Sequence, residues 1–294
     1  MSKSFTLIEI LIVIVVIGIL SSFILVGMNS IASSANIAKS ESFSSSLRNS
    51  LLISLVSEWK LDESSGQSIY DSWSSNNGIL GSTSGVDASD PIWITNGCAK
   101  GSCLSFDGTD DYVYLNAFGL SGSKLTFEFW LKNSQQSYHQ TILGDGSQSN
   151  TVGYIFIYRE ENGGNIIFQF ADGTNWRYAR SDDFFTDSNN KLIHLVVTID
   201  YANRIIKFYK NGAFFNEPTV SYPMVFPSAT RAKYLGAYNS GSYRFNGLMD
   251  GARIYADIVT SLKIKENYYS GLNNLIAKGS IDKEEYNNRL IAIK

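Results

Sequence analysis

The sequence predicts an all-β antiparallel two-sheet sandwich, carried behind a long N-terminal transmembrane α-helix and closed by a short C-terminal helical hairpin. Three observations predict it. Residues Phe5–Met28 form an apolar run in which Glu9 is the only charge. Beyond it, five Asn-Gly and four Asp-Gly dipeptides punctuate the chain between Asn77 and Gly251, and such pairs favour tight turns because those turns need positive φ. Between the turns lie short runs rich in β-branched and aromatic residues, with aromatics at 13% and charged residues at 17% of the 294 residues. That balance suits strands better than a helical cytosolic protein.

The N-terminal run comes first. As a helix, its 24 residues rise about 36 Å, enough for a bilayer core of roughly 30 Å. It exceeds the apolar core of a cleaved secretory signal, although Ser33-Ser34-Ala35 keeps that alternative open. Lys3 precedes the run and the next basic residue is Lys39, so the charge bias places the N-terminus in the cytoplasm and the remainder outside. A carboxylate inside such a span is costly, and Glu9 is either an interfacial residue that snorkels or a group with a task. Residues 29–57 are Ser-rich, with apolar residues such as Ile31, Ala35, Ala38, Leu47, Leu51 and Leu55 mostly three or four apart. This spacing predicts that the helix continues to about Ser57 with an apolar stripe.

The globular part follows. In LTFEFWLK, residues Leu125, Phe127, Phe129 and Leu131 alternate with Thr126, Glu128, Trp130 and Lys132, the period of a half-buried strand. RIIKFYK-NG-AFF reads as a hairpin turning at Asn211-Gly212. With no helices interleaved, these strands fold as an antiparallel sandwich. After it, Ser261–Tyr269 and Asn274–Lys294 read as helical, with a turn at Gly279 and an N-cap at Asp282 followed by Glu284 and Glu285.

Cys98 and Cys103 are the two cysteines. Their local spacing, outside the cytoplasm, predicts a disulfide, two free thiols being the alternative; a loop this short contributes about 2 kcal/mol at most. With two histidines, His139 and His194, a four-ligand Cys/His zinc site would need every cysteine and histidine in the chain, which argues against one. The net charge of −3 argues against nucleic acid as a partner. Asp110-Asp111, Glu160-Glu161 and Asp182-Asp183 read as solvated loop charges, and no nucleophile elbow, P-loop or dinucleotide fingerprint is present. The chain is expected not to be an enzyme.

Two resemblances sharpen this reading. Lys3, the Ser4/Phe5 junction, Phe5-Thr6-Leu7-Ile8-Glu9 and the β-branched run after them resemble the N-terminus of type IV pilins and type II secretion pseudopilins. The resemblance implies cleavage between Ser4 and Phe5 by a prepilin peptidase, methylation of the Phe5 amine, and pairing of Glu9 with that amine or with a neighbour's during filament assembly. Phe5 and Glu9 are four apart and share a helix face. Ser4 stands where pilins usually have glycine. The membrane and homologous pilin subunits are then the implied partners.

The strings EWKLDESSGQSIYDSWSSNNGILG, CLSFDGTDDYVYL, LTFEFWLK, LIHLVVTID, KFYKNGAFF and FNGLMDGARIYAD, in that order, resemble the laminin-G-like, concanavalin A-like jelly roll. That family implies a curved sandwich binding glycan or surface protein ligands, often with calcium. Asp71, Asn76 and Asp250 are calcium candidates, or else turn formers through Asx hydrogen bonds. Trp73, Trp93, Tyr138 and Trp176 are candidates to stack on sugar rings, or else core packing. The family's glucanases carry an E-x-D-x-x-E strand, which this sequence lacks. The organisation expected is a leader over 1–4, the transmembrane part of the helix over 5–28, its amphipathic continuation over 29–57, the jelly roll over 58–272, and the helical hairpin over 273–294.

Overall fold

The computed structural model describes residues 7–8, 11–17, 54–145, 153–227, 231–239 and 242–293, in two compact units, Met1–Ile53 and Ser54–Lys294. In the first unit, residues 7–8 and 11–17 are helical and carry exposed apolar side chains, Leu7, Leu11 and Ile14 among them. Among the described residues, no helix is long and apolar enough to cross a membrane. Ser4, Phe5, Glu9 and the helix read over 29–53 lie outside the described residues.

The second unit is the sandwich. Its described strands are β1 (Leu55–Trp59), β2 (Ser68–Ile69), β3 (Gly78–Leu80), β4 (Ile92–Ile94), β5 (Cys103–Asp107), β6 (Val113–Leu115), β7 (Lys124–Asn133) and β8 (Gln140–Gly144), then β9 (Phe156–Arg159), β10 (Ile166–Ala171), β11 (Trp176–Ser181), β12 (Ile193–Asp200), β13 (Ile205–Lys210), β14 (Ala213–Asn216), β15 (Lys233–Leu235) and β16 (Asn246–Tyr255). The first sheet runs β14-β13-β12-β7-β16-β5-β4, with β1 also on β16; the second runs β11-β10-β9-β8-β15-β6-β3-β2. Pairing between these strands is antiparallel throughout, as the sequence predicts.

The core between the sheets is built by the predicted alternation. Leu125, Phe127, Phe129 and Leu131 of β7 and Leu195, Val197 and Ile199 of β12 face Ile157, Phe168 and Phe170 from the second sheet, all buried. Each such side chain contributes about 1.5–3 kcal/mol. Asn211-Gly212 turns the β13–β14 hairpin with φ of 52° and 80°. Two other dipeptides read as turns, Asn246-Gly247 and Asp250-Gly251, lie inside β16 instead. Gly251 takes φ 67° where the register of β16 on β7 skips one residue, between Asp250 and Ala252. This bulge keeps Met249 and Ala252 facing inward and sets Asp250 and Arg253 outward, opposite Trp130 and Glu128.

The helix read as far as Ser57 is corrected at its end: Leu55–Trp59 is a strand on β16, with Ser57 and Trp59 facing inward beside Ile254 and Ala252. Tertiary pairing overrides the helical spacing there.

Two helices follow the sandwich, α1 (Ser261–Ala277) and α2 (Lys283–Ile291). Thr260 caps α1 by accepting from the Lys263 amide at 3.3 Å. Its C-terminus closes with Ser280 N–H to Leu275 O and Gly279 N–H to Ile276 O, and Gly279 at φ 68°. The helix runs unbroken past 272, so the boundary read at 272/273 falls within it. Asp282 caps α2 as expected, accepting from the Glu285 amide at 2.7 Å. Leu272, Leu275, Ile281 and Ile293 pack with Trp130 and Leu192, so the hairpin packs on the first sheet.

Helix α1 covers the outer face of β7. Trp130 stacks on Tyr268 with centroids 5.5 Å apart, and a Cβ on Gly271 would stand 2.2 Å from Trp130, so that helical position requires glycine. The outward Glu128 is therefore buried, and it accepts from Arg253 Nη1 at 2.9 Å, Asn267 Nδ2 at 2.9 Å and Tyr255 Oη at 3.2 Å, with His194 Nε2 at 3.0 Å. Cys98 and Cys103 form the expected disulfide, Cα–Cα 5.6 Å.

Candidate ligand-binding site

The outer face of the second sheet carries the site. On β9 and β10, Ile157, Phe168 and Phe170 point into the core, so Phe156, Tyr158, Ile167, Gln169 and Ala171 point out. Trp176 and Tyr178 of β11 pair with Ala171 and Gln169 and share that face. The rings lock together. Phe156 lies 4.4 Å from Tyr158 and 4.7 Å from Tyr238, and Tyr154 meets Trp176 edge-on at 4.4 Å.

A cleft of about 260 Å³ opens among Tyr154, Phe156, Gln169, Trp176 and Tyr238. One wall comes from the segment around Tyr238, which folds over Gly144 of β8. A Cβ on Gly144 would stand 2.8 Å from Ala237 O and from Tyr238 Cα, so glycine admits this wall. Beside the cleft, Arg177 pairs with Asp172 at 2.6 Å and lies 3.6 Å above the Tyr222 ring. Burial raises the Tyr154 and Tyr238 hydroxyls above the usual tyrosine range, with neighbouring Tyr158 and Asp145 adding to it. At neutral pH the lining is uncharged: aromatic faces, phenolic O–H groups and one amide. Tyr154 and Phe156 are almost fully buried, so the accessible groups are the partly exposed Trp176, Tyr238 and Gln169, which suit stacking on an apolar ring face and hydrogen bonds to hydroxyls.

Of the four aromatic residues proposed from sequence, Trp176 stands in this cleft. Trp73 is 46% exposed in the loop after β2. Trp93 packs partly on the core and donates from Nε1 to Gly66 O at 2.9 Å, and Tyr138 donates to Gly108 O at 3.1 Å. Tyr154, Phe156, Gln169 and Tyr238 were missed. Their signal was present in YIFIYR, where both alternating sets are apolar; one set fills the core and the other requires either a cover or a ligand.

The calcium candidates separate. Asp71 Oδ1 accepts the amides of Glu58, Trp73 and Ser74, each at 3.0 Å, and Oδ2 that of Asn76 at 3.3 Å. Burial opposes its charge, but these donors hold its carboxyl below the usual aspartate range. Asn76 donates from Nδ2 to Ser57 Oγ at 2.6 Å. Asp250 lies on the first sheet beside the α1 residues Asn267 and Asn274 and accepts the Lys100 amide at 2.9 Å. A closer group of hard oxygens is Asp107, Asp110 and Asp111, whose carboxylate atoms lie within 4.8 Å of one another. Asp111, read as a solvated loop charge, is only 4% exposed, because its Oδ2 accepts the Asp107 amide at 2.7 Å and closes the turn. Burial, with Asp107 and Asp110 adding to it against the Asp107 amide, pushes its carboxyl up to about 7.

Asp250 is likewise pushed up to about 7, by burial first and by Asp62, against the Lys100 amide. The folded chain therefore holds this proton where the unfolded chain, at about 3.8, has released it, so stability falls as pH rises between the two values. Asp250→Asn is expected to stabilise the sandwich at pH 8 by on the order of 2–4 kcal/mol and to leave it unchanged near pH 4. Urea unfolding at both pH values measures this, and equal effects at the two would refute it.

The comparisons with known proteins fit this architecture. Residues 107–265 match the family model of the concanavalin A-like lectin/glucanases superfamily, and residues 1–25 match the prokaryotic N-terminal methylation motif. No curated protein sequence matches the chain. Among solved structures it is similar to domain 4 of AbnA, a GH43 extracellular arabinanase from Geobacillus stearothermophilus, in complex with arabinotriose, with 20% identity, TM-score 0.56, and coverage of 72% of this chain and 97% of that one. It is also similar to the botulinum neurotoxin serotype D ligand binding domain in complex with N-acetylneuraminic acid, with 14% identity, TM-score 0.57, and coverage of 77% and 53%. The chain thus spans about half the length of that neurotoxin domain. With the family model covering more than half of its residues, and with the two antiparallel sheets it builds, the chain belongs to the concanavalin A-like lectin/glucanases superfamily.

Proposed function

We propose that the chain is a pilin-like subunit of a type IV pilus or related pseudopilus, in which the N-terminal helix anchors and assembles and the sandwich head binds a glycan without catalysis. The methylation motif supports the first half, with prepilin peptidase acting at Ser4/Phe5, and membrane and homologous pilin subunits as partners. The observation that carries the second half is the uncharged aromatic cleft on a sheet face that α1 leaves uncovered. The sugar complexes of the two similar structures support this use of the fold, and at their identities specify no particular sugar. The head lies outside the cytoplasm, at the surface once assembled; the disulfide agrees with that side of the membrane.

Trp176→Ala removes one wall of the cleft at a half-buried position. In a glycan-array screen of the detergent-solubilised chain, it is expected to weaken binding at least about tenfold, roughly 1.4 kcal/mol. Unchanged binding would remove the cleft from the function. The alternative, an anchored carbohydrate-binding protein that never polymerises, keeps the same cleft and leaves Phe5 unmethylated. We also propose that a calcium ion, where one binds, is held by Asp107, Asp110 and Asp111 rather than by Asp71, Asn76 and Asp250, because the three carboxylates converge within 4.8 Å of one another. Calcium is then expected to raise the melting temperature of the wild type and not that of Asp111→Asn, and equal shifts would refute the assignment.

A further inference from the structure

We propose that the chain binds a small monovalent inorganic anion, of about the size of chloride, at one end of the sandwich core, between the Arg159 guanidinium, the Asn133 amide and the Ser188 hydroxyl. This site is separate from the cleft on the second sheet and does not rest on the glycan reading.

The strand period brings the first two groups together. Ile157 and Leu131 point into the core, so Arg159 and Asn133, two residues further along β9 and β7, point inward as well. They meet where those strands end, one from each sheet, and are 1% and 2% exposed. Arg159 donates from Nη1 to Asn133 Oδ1 at 3.4 Å and from Nε to Gly163 O at 3.1 Å. The guanidinium lies 5.1 Å from the centre of the Phe185 ring. Ser188 is held beside them by the backbone: its amide donates to Phe185 O at 3.1 Å, and the Asn190 amide donates to Asn133 O at 2.8 Å.

The charge at this place is uncompensated. Both oxygens that Arg159 reaches are neutral, and among the described residues no carboxylate pairs with it. The carboxylates nearest in sequence are engaged elsewhere, Glu160 with Arg180 at 3.2 Å and Asp187 with Lys210. Burial pulls the guanidinium down to about 10, which still leaves it charged at neutral pH. A buried charge without a counter-charge is strongly disfavoured.

The groups around it are donors. A guanidinium carries five N–H groups, and the two bonds above leave others to give. Asn133 Nδ2, on the same carbon as the oxygen that Arg159 reaches, has no hydrogen-bond partner among the described residues, and neither has Ser188 Oγ on a side chain that is 4% exposed. A water molecule would accept from such donors and bring no charge, and a cation would add to the charge already there. One negative charge with several lone pairs meets both needs. Ser188 also lines an open cleft of about 600 Å³, so this end of the core borders the solvent that supplies the ion.

The test is thermal unfolding of the detergent-solubilised full chain while sodium gluconate is exchanged for sodium chloride at constant ionic strength. Asn133→Asp places a carboxylate where Arg159 already reaches an oxygen, and so supplies the negative charge from within. At about 100 mM chloride the wild type is expected to gain roughly 3 °C or more relative to Asn133→Asp. In gluconate alone, Asn133→Asp is expected to melt above the wild type. Arg159→Met, which keeps the length of the side chain without its charge, is expected to gain no more from chloride than Asn133→Asp does. Broadening of the chlorine NMR line reads the binding directly, and is expected to saturate with the wild type and to be absent with Asn133→Asp, the variant expected to be the more stable. No chloride gain in the wild type, or an equal gain in the wild type and both variants, overturns the inference.

Discussion

Replacing Glu128 by alanine is expected to cost the sandwich roughly 3–5 kcal/mol, the range for breaking a buried charge network by removing one partner. Glu128 is the hub of that network: its two oxygens take Arg253, Asn267 and Tyr255, and His194 lies against it, all beneath α1. Without it, Arg253 keeps Glu58 at 2.7 Å, but the Asn267 amide loses its acceptor and α1 loses its polar tie to the sheet. Denaturant unfolding of the wild type and variant measures the loss, and a change below about 1 kcal/mol would show that ring and apolar packing alone hold α1. The pH dependence follows from the same contacts. Burial opposes the charge of Glu128, yet Arg253, then His194 and Asn267, hold its carboxyl well below the usual value near 4.5. As pH falls, the unfolded chain takes up this proton first. The contribution is therefore complete above about pH 4.5 and is lost as the pH drops toward about 2. The alanine variant is expected to lack this acid limb.

Glu9→Leu is expected to leave the melting of the head unchanged and to lower filament incorporation by at least about tenfold, since an intramembrane charge left without its partner costs roughly 2.5–3.5 kcal/mol. On the pilin-like reading, cleavage at Ser4/Phe5 frees an amine four residues from Glu9, on the same helix face. The leucine variant leaves that cation unpaired at the edge of the hydrocarbon. Counting subunits in sheared filaments against membrane pools reads the effect, and mass analysis of the N-terminus shows whether Phe5 is methylated. Methylated Phe5 with normal incorporation of Glu9→Leu would refute the role of Glu9 in assembly; unmethylated Phe5 would favour a non-polymerising anchor. Ser4→Gly, which restores the usual residue before the cut, is expected to process at least as efficiently as the wild type.

The sequence by itself determined the features that depend on neighbours along the chain. The Asn211-Gly212 turn, the Gly279 stop, the Asp282 cap and the short Cys98–Cys103 loop all follow from local backbone preference or short-range closure. The inward set of β7 follows from a period of two. What lies on the other face of each strand was decided by tertiary structure. Glu128 and Trp130 alternate with the inward set, and α1, arriving more than 130 residues later, buries them, while Thr126 is closed off by Asp257 O and the Val259 amide. Leu55–Trp59 fits a helical stripe until β16 offers it a strand partner. The bulge at Gly251 looks like a turn in sequence, and the register on β7 makes it the device that sets Arg253 opposite Glu128. The cleft on the second sheet is invisible in any single strand, because β9, β10, β11 and the segment around Tyr238 each supply part of it. Period and turn chemistry reveal which faces a strand has; what covers each face is settled by packing between residues distant in sequence.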